Sequence, residues 1–216
     1  MFIEGHAWKG FFIMLIVIGE NIMEIETKRS NIKDVIVIVP ETFRDSRGYF
    51  SEMYRADQFK AAGLPSSFVQ VNQSGSIKNT LRGLHFQWSP PMGKLMRVNK
   101  GQAFLVAVDI RRGSPTFGRW YGAEITGGSR IQIWAPAGFA RGFCVLSEYA
   151  EIQYMCTSTY NGSAESGILW NDQDIGIDWP IKEPLLSRKD ANAQRLSDWL
   201  KKEESYYFQY RGGKAK

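Results

Sequence analysis

Histidine is nearly absent from this chain. Of its 216 residues only His6 and His85 are histidines, and His6 lies in an apolar leader. A transition-metal centre built on two or three histidines and a carboxylate needs more than the one imidazole in the body of the chain. We therefore expect no metal and no cofactor. Cysteine is as scarce, with only Cys144 and Cys156. Two cysteines make neither a disulfide framework nor a zinc knuckle. Both fall in strand-like runs and read as buried free thiols, which suits a reducing cytoplasm. Long apolar runs are also missing. FFIMLIVIG (Phe11–Gly19) is too short to span a bilayer. Lys9 precedes it as in a signal peptide, but ENIMEIE after it offers no small-x-small cleavage site. Residues 1–22 are read as a leader or upstream-extended start outside the fold, with Met23 as the natural first residue. A signal or anchor, or a structured extension, are the alternatives. A strong charge is lacking too. The net charge is +5, and five basic residues against two acidic ones fall in the tail at 201–216. The body is close to balanced, so no nucleic-acid footprint is read, and no membrane partner. A mild positive excess suits a small anionic substrate.

What the chain does have is β pattern. Apolar residues make up 44% and aromatics 13%, enough for one core rich in large flat side chains. Short strand-like runs follow one another: VIVIV, GYFSEMY, SFVQVNQS, KLMRV, AFLVAVDI, WYGAEIT, RIQIWA, GFCVLS and AEIQYMCTSTY. Turn signals such as DSRG, NKG, RRGSPTFG, TGGS and PAG separate them. Regularly spaced short strands without internal repeats point to a single all-β sandwich or barrel over residues 23–200, followed by a basic tail at 201–216. AFLVAVDI and GFCVLS are apolar on both alternating sets, which suits strands covered on their outer face, as by a second subunit. Two helices are predicted: Ala56–Gly63, closed by Gly63 and Pro65, and Asp190–Glu204 after the Pro180 and Pro184 breaks.

The stretch LRGLHFQ carries the lone histidine. Strict alternation does not put Arg82 and His85 on one face, but a break at Gly83 can re-aim them. Arg82 and Lys94 near an imidazole would favour its neutral, proton-accepting form and attract a phosphorylated substrate. A histidine buried for structure is the plain alternative.

The chain resembles the dTDP-4-dehydrorhamnose 3,5-epimerase family. The resemblance rests on FRDSRGYFSE, FVQVNQS, LRGLHFQ, GKLMRV, VAVDIRRGSPTFG, WAPAGFARGF, LSEYAEIQYMCTSTY and LWNDQDIGIDWP, in that order from about Met23 to Leu200. It implies a cupin-type jelly roll (a double-stranded β-helix) without metal, and a homodimer with exchange of N-terminal strands. The implied substrate is a nucleoside-diphosphate 4-keto-6-deoxyhexose, with dTDP-4-keto-6-deoxyglucose the first candidate. His85 would be the base, Asp190 of LSRKD its orienting carboxylate, Tyr154 the opposite acid, and Lys94 the cation facing the sugar oxygen. Arg82 would meet the phosphates. Gln70 and Asn72 would line the site, and Tyr160 would stand near the base or sugar. Arg47 and Glu52 would reach the nucleotide from the partner subunit. Deoxysugar precursor synthesis for polysaccharides is the implied setting. A nucleotide-sugar 3,4-ketoisomerase and a non-catalytic sugar-nucleotide-binding cupin are the other readings.

The chemistry agrees with these roles. A ketone at C4 acidifies the protons at C3 and C5, and an imidazole is a suitable base near neutral pH. A carboxylate on its other nitrogen fixes the tautomer. A cationic donor stabilises the enolate, and a phenol can return the proton if nearby cations lower its pKa. Taken alone, Asp190 could instead close a Ser187-x-x-Asp190 helix cap, and Tyr154 and Lys94 could be ordinary strand residues. Two positions depart from the family pattern. Arg141 stands where PxGFAHGF has histidine, and Leu105 where FDVAVDIR has aspartate. The paired change assigns Arg141 to the sugar or phosphate and suggests altered substrate choice or inversion at one carbon. An Arg141 pointing to solvent is the alternative.

Overall fold

The computed structural model describes residues 13–14 and 25–212. The expectations for most of the leader, including His6 and a start at Met23, and for the last residues of the tail fall outside them. In chain order the strands are β1 (Ile13–Met14), β2 (Ile25–Arg29), β3 (Ile36–Pro40), β4 (Phe43–Asp45), β5 (Gly48–Phe50), β6 (Gln70–Ile77) and β7 (Leu81–Gln87). They continue with β8 (Lys94–Lys100), β9 (Gln102–Asp109), β10 (Trp120–Thr126), β11 (Gln132–Ala135), β12 (Phe139–Val145), β13 (Tyr149–Cys156) and β14 (Glu165–Gly167). Among the described residues one sheet runs β1-β2-β3-β11-β8-β13-β6 and the other β10-β9-β12-β7-β14, while β4 and β5 form a separate hairpin. Every ladder is antiparallel, including the pairing of Ile13 and Met14 with Lys28 and Thr27.

Alternation along the strands builds the core between the two sheets. Leu105 and Ala107 of β9 and Phe139 and Phe143 of β12 meet Met96, Val98, Ile133 and Ile152 from the other sheet. Phe104, Val106 and Val108, the other set on β9, are buried as well. They pack against Ile168, Trp179, Leu196, Trp199 and Phe208, all C-terminal to the strands. The double apolar pattern of β9 and β12 is thus satisfied within one chain. The second subunit invoked for it in the sequence reading is not needed there. Burying a side chain such as Trp199, which is fully covered, contributes about 1.5–3 kcal/mol at least. The outer face of the first sheet is capped by helix α1 (Ala56–Ala61), whose Phe59 packs with Leu64 on Ile38, Leu95 and Trp134. That helix ends as predicted. Gly63 adopts φ +72°, and the amides of Leu64 and Gly63 reach back to the carbonyls of Phe59 (2.8 Å) and Lys60 (3.1 Å).

The predicted helix at Asp190–Glu204 is a correction. The segment holds two short helices, α2 (Arg188–Ala191) and α3 (Leu196–Trp199), then a 3-10 stretch at Glu203–Phe208. Between α2 and α3 the chain runs extended, with Gln194 bridged to Ile168. The buried carboxylate of Asp172 takes the amide of Leu196 at 2.7 Å and starts the second helix afresh. Tertiary partners on the second sheet override the helical pattern. No described helix is long and apolar enough to cross a membrane.

Candidate active site

Strand β7 carries one residue too many for its neighbour. His85 lies opposite Arg141 and Arg82 opposite Phe143, so three steps on β7 match two on β12. Such a bulge turns Arg82 and His85 to the same face. That face is the interior one, because Phe143 belongs to the core between the sheets. Gly83 makes the bulge possible. Its φ is +128°, and a Cβ there would lie 2.5 Å from the Cα of Gly142. The glycine therefore re-aims the pair, as the sequence suggested.

Asp190 arrives from 105 residues away. Leu185 is clipped to the start of β7 by two backbone hydrogen bonds, Leu185 N–H to Asn79 O (2.8 Å) and Leu81 N–H to Leu185 O (3.0 Å). The following helix α2 then places the buried Asp190 carboxylate 2.5 Å from Nε2 of His85. Ser187 caps α2 and does more. Its Oγ accepts the amide of Asp190 (3.1 Å) and donates to Oδ2 (2.9 Å). Asp190 thus serves the helix start and the histidine together. Burial would raise its pKa, but the hydrogen bonds and charge of His85, with Ser187, hold it below the usual carboxylate range. An ionised carboxylate only accepts, so Nε2 carries the hydrogen, and in a neutral imidazole Nδ1 then keeps a free lone pair.

The opposite sheet supplies the other groups. Lys94 of β8 and Tyr154 of β13 point inward, with the Lys94 ammonium 4.8 Å from the Tyr154 ring centroid. Burial, then the charge of Arg141, lowers Lys94 to about 8, while Cys156 and Glu165 oppose the shift. Tyr154 corrects the sequence reading. Its pKa is raised, because burial, helped by Cys156, outweighs the downward pull of Asn72 and Arg82. The phenol therefore stays protonated and holds its proton more tightly than a free tyrosine.

Gln70 and Asn72 fall on the inward set of β6 and are joined by a 3.0 Å hydrogen bond from Gln70 Nε2 to Asn72 Oδ1. Gln70 Oε1 accepts the amide of Tyr160 at 2.8 Å. The Tyr160 ring is exposed, and its hydroxyl donates to Glu165 at 3.3 Å. Arg82 is exposed at the cleft and donates from Nε to Ser76 at 3.1 Å. Arg141 is buried, 4% exposed, which overturns the solvent-facing alternative; Leu105 is fully buried in the inter-sheet core. Arg47 and Glu52 are not brought to His85 within one chain. The cleft at His85 is lined by Arg82, Leu185, Leu186, Ser187, Lys189 and Asp190, with Thr80 and Leu81. Arg47 instead pairs with Asp45 at 2.6 Å on the exposed β4–β5 hairpin, and Glu52 lies 3.6 Å from Arg55.

Sequence reasoning missed Glu165, Lys189 and Ser76. Glu165 takes both Lys189 and Tyr160 at the rim of the cleft. Lys189 had one available signal, its place beside Asp190. Glu165 had none, since no spacing links it to its partners. No group of three His, Cys, Asp or Glu side chains among the described residues is placed to hold a metal ion.

Comparison with known proteins bears on this site. The family model described as dTDP-4-dehydrorhamnose 3,5-epimerase matches residues 29–198. A Pseudomonas aeruginosa protein of that name is 48% identical over 176 residues, covering 81% of this chain and 97% of the relative. The crystal structure of a Legionella pneumophila epimerase in complex with dTDP-4-keto-L-rhamnose superposes with a TM-score of 0.83 at 41% identity. It covers 88% of this chain and all (100%) of that one. A 3'-monoepimerase from Streptomyces bikiniensis in complex with dTDP-quinovose gives 0.76 at 34% identity, covering 80% and 89% of the two chains.

Proposed function

This chain belongs to the dTDP-4-dehydrorhamnose 3,5-epimerase family, and from that premise we propose how its residues epimerise a dTDP-4-keto-6-deoxyhexose. One observation carries the reading. His85 and Tyr154 stand on the inner faces of the two facing sheets, so a sugar held between the sheets would present one face to each. His85 Nδ1 removes the proton on carbon next to the ketone. The C–H electron pair forms the C=C bond of an enolate, and the carbonyl π pair moves onto O4. Lys94 meets that oxyanion as a cation. Asp190 steadies the imidazolium through Nε2. Tyr154 then gives its proton to the opposite face of the same carbon, and solvent exchange restores both groups. Each acid–base role is worth about 10²–10⁴-fold in rate.

Arg82 takes the phosphates, and Gln70, Asn72 and Tyr160 hold the sugar nucleotide. Arg141, the register partner of His85, stands beside the same groups. A homodimer completes the site, with N-terminal strands exchanged and Arg47 and Glu52 reaching the partner's nucleotide. Two features support the dimer. The edge strand β6 exposes Val71 and Ile77, and the β4–β5 hairpin exposes Phe43, Tyr49 and Phe50. Unpartnered apolar surface of this kind suits an interface. The setting is deoxysugar precursor synthesis for polysaccharides, in a reducing cytoplasm where Cys144 and Cys156 stay free.

The test is product formation. Purified protein is mixed with dTDP-4-keto-6-deoxyglucose, and ring proton couplings are followed by NMR. An inverted centre that disappears with His85→Ala is expected. Unchanged couplings with folded wild-type protein would refute the reading.

A further inference from the structure

Arg141 is buried, yet its guanidinium is only half used. Nη1 donates to the carbonyls of Met92 (2.8 Å), Ala135 (3.3 Å) and Pro136 (3.3 Å). Nε and Nη2, the other edge of the fork, meet no acceptor. Buried donors are almost always paired, and a buried pair left without acceptors asks for a partner. The unpartnered edge stands among the reacting groups, close enough to Lys94 for the Arg141 charge to lower its pKa. Arg141 is the register partner of His85 on its own sheet. Ala135, whose carbonyl it holds, is the register partner of Lys94 on the other. Nothing on the neighbouring strand closes the edge. Ala107 is directly opposite Arg141, and two residues away on the same face stands Leu105, which has no acceptor to offer.

We infer that the Nε–Nη2 edge of Arg141 is a subsite for two adjacent sugar oxygens, O3 and O4, and that it directs proton removal to C3. The inference rests on the epimerase reading above and adds its regiochemistry. Two parallel N–H bonds suit two coplanar oxygens. When His85 takes the C3 proton, the C–H pair forms C3=C4 and the carbonyl π pair moves onto O4. Ring closure holds C2 and C5 cis across that double bond, so O3 and O4 are cis and coplanar too. Both then accept from the fork, O4 as the oxyanion. Proton removal at C5 forms C4=C5 instead. There the ring holds C3 and O5 cis, which puts O4 beside the C6 methyl group. The second N–H faces carbon and loses its acceptor. The fork therefore favours the C3 intermediate over the C5 one, and it acts in the transition state rather than on the ketone.

Deuterium entry from D₂O at C3 and at C5 of dTDP-4-keto-6-deoxyglucose, read separately by NMR, tests this. Two variants close or remove the edge. Arg141→Lys keeps a cation for the carbonyls but has no second donor edge. Leu105→Asp keeps Arg141 and supplies an acceptor on the same face. Each is expected to lower the C3:C5 exchange ratio at least tenfold relative to wild type, with dTDP binding retained. A merely structural role would slow both carbons together and leave the ratio unchanged. An unchanged ratio in either folded variant overturns the subsite and leaves His85 as the base. If Arg141→Lys does not fold, Leu105→Asp decides alone. No exchange at either carbon by wild type overturns the epimerase reading, and this inference with it.

Discussion

Two arginines, a half-buried one just after β9 and a buried one on the neighbouring β12, live in opposite conditions. Arg111 follows β9. Its backbone amide, Nε and Nη2 all reach Asp109, at 3.0, 2.9 and 2.7 Å, and Nη1 reaches Asp34 at 2.8 Å. Asp109, fully buried, also takes the hydroxyls of Ser114 (2.6 Å) and Thr116 (2.7 Å). Arg141, on β12, has three carbonyls on one nitrogen and an empty edge. Burial alone would lower the pKa of both. The carboxylates of Asp109 and Asp34 reverse this for Arg111, which ends above its usual value. Arg141, with no carboxylate, is lowered to about 10. The closed cluster holds the loop after β9, and every nitrogen of its guanidinium already meets a carboxylate. The unpaired one stands near Lys94 and His85 with no carboxylate of its own. On the proposed mechanism an anionic intermediate supplies the missing partner.

Changing one carboxylate from each region separates them. Asp190→Asn should cut turnover by about 10²–10⁴-fold, because the histidine loses its orienting anion. Its melting temperature should move little by comparison. Asp109→Ala should do the reverse. Breaking a buried ion pair by removing one partner costs about 3–5 kcal/mol, which for a chain of this size lowers Tm by on the order of 10 °C. The remaining folded protein should turn over normally. The Asp109 carboxyl is held below its usual range, where the hydrogen bonds of Arg111, Ser114 and Thr116 outweigh its burial. Its stabilising effect is complete above the unfolded carboxylate pKa and is lost as pH falls through the folded value. The variant should therefore lose that acid-dependent part of its stability. Thermal melts from about pH 3 to about pH 7 check the point.

A smaller effect sharpens the electrostatic side. In the proposed mechanism Lys94 acts as an ammonium, and burial lowers its pKa to about 8. The kcat/KM profile should fall on its basic side from near that pH, by up to about tenfold per pH unit. Arg141 and Lys189 push Lys94 down, and Cys156 and Glu165 push it up. Arg141→Gln removes the larger of the two downward charges, so the basic limb should move to higher pH. A limb that stays in place would separate Arg141 from Lys94.

Much of the fold was legible because strands here obey local rules. WYGAEIT is β10 residue for residue, and the Gly63 stop closes α1. The segment after Pro184 was not legible as structure. Its helical pattern yields to contacts with β7, Asp172 and Ile168 that no spacing encodes. At the site, Gly83 beside His85 signalled a bulge, and the bulge places Arg82 and His85 on one face. The raised pKa of Tyr154 could not be read, because it depends on burial and not on neighbours in sequence. The same holds for Arg141. The sequence marked it as unusual against its relatives, but only the fold reveals which edge of it is open.

The most direct test of the account uses His85→Ala and Tyr154→Phe side by side with wild type, in D₂O with dTDP-4-keto-6-deoxyglucose. The two groups stand on facing sheets, so they should fail differently. His85→Ala should lose deuterium entry altogether. Tyr154→Phe should still exchange, through His85, while forming at least about 10²-fold less inverted product. Equal loss of exchange and inversion in both variants, or exchange that survives in His85→Ala, would contradict a base and an acid on opposite faces of the sugar.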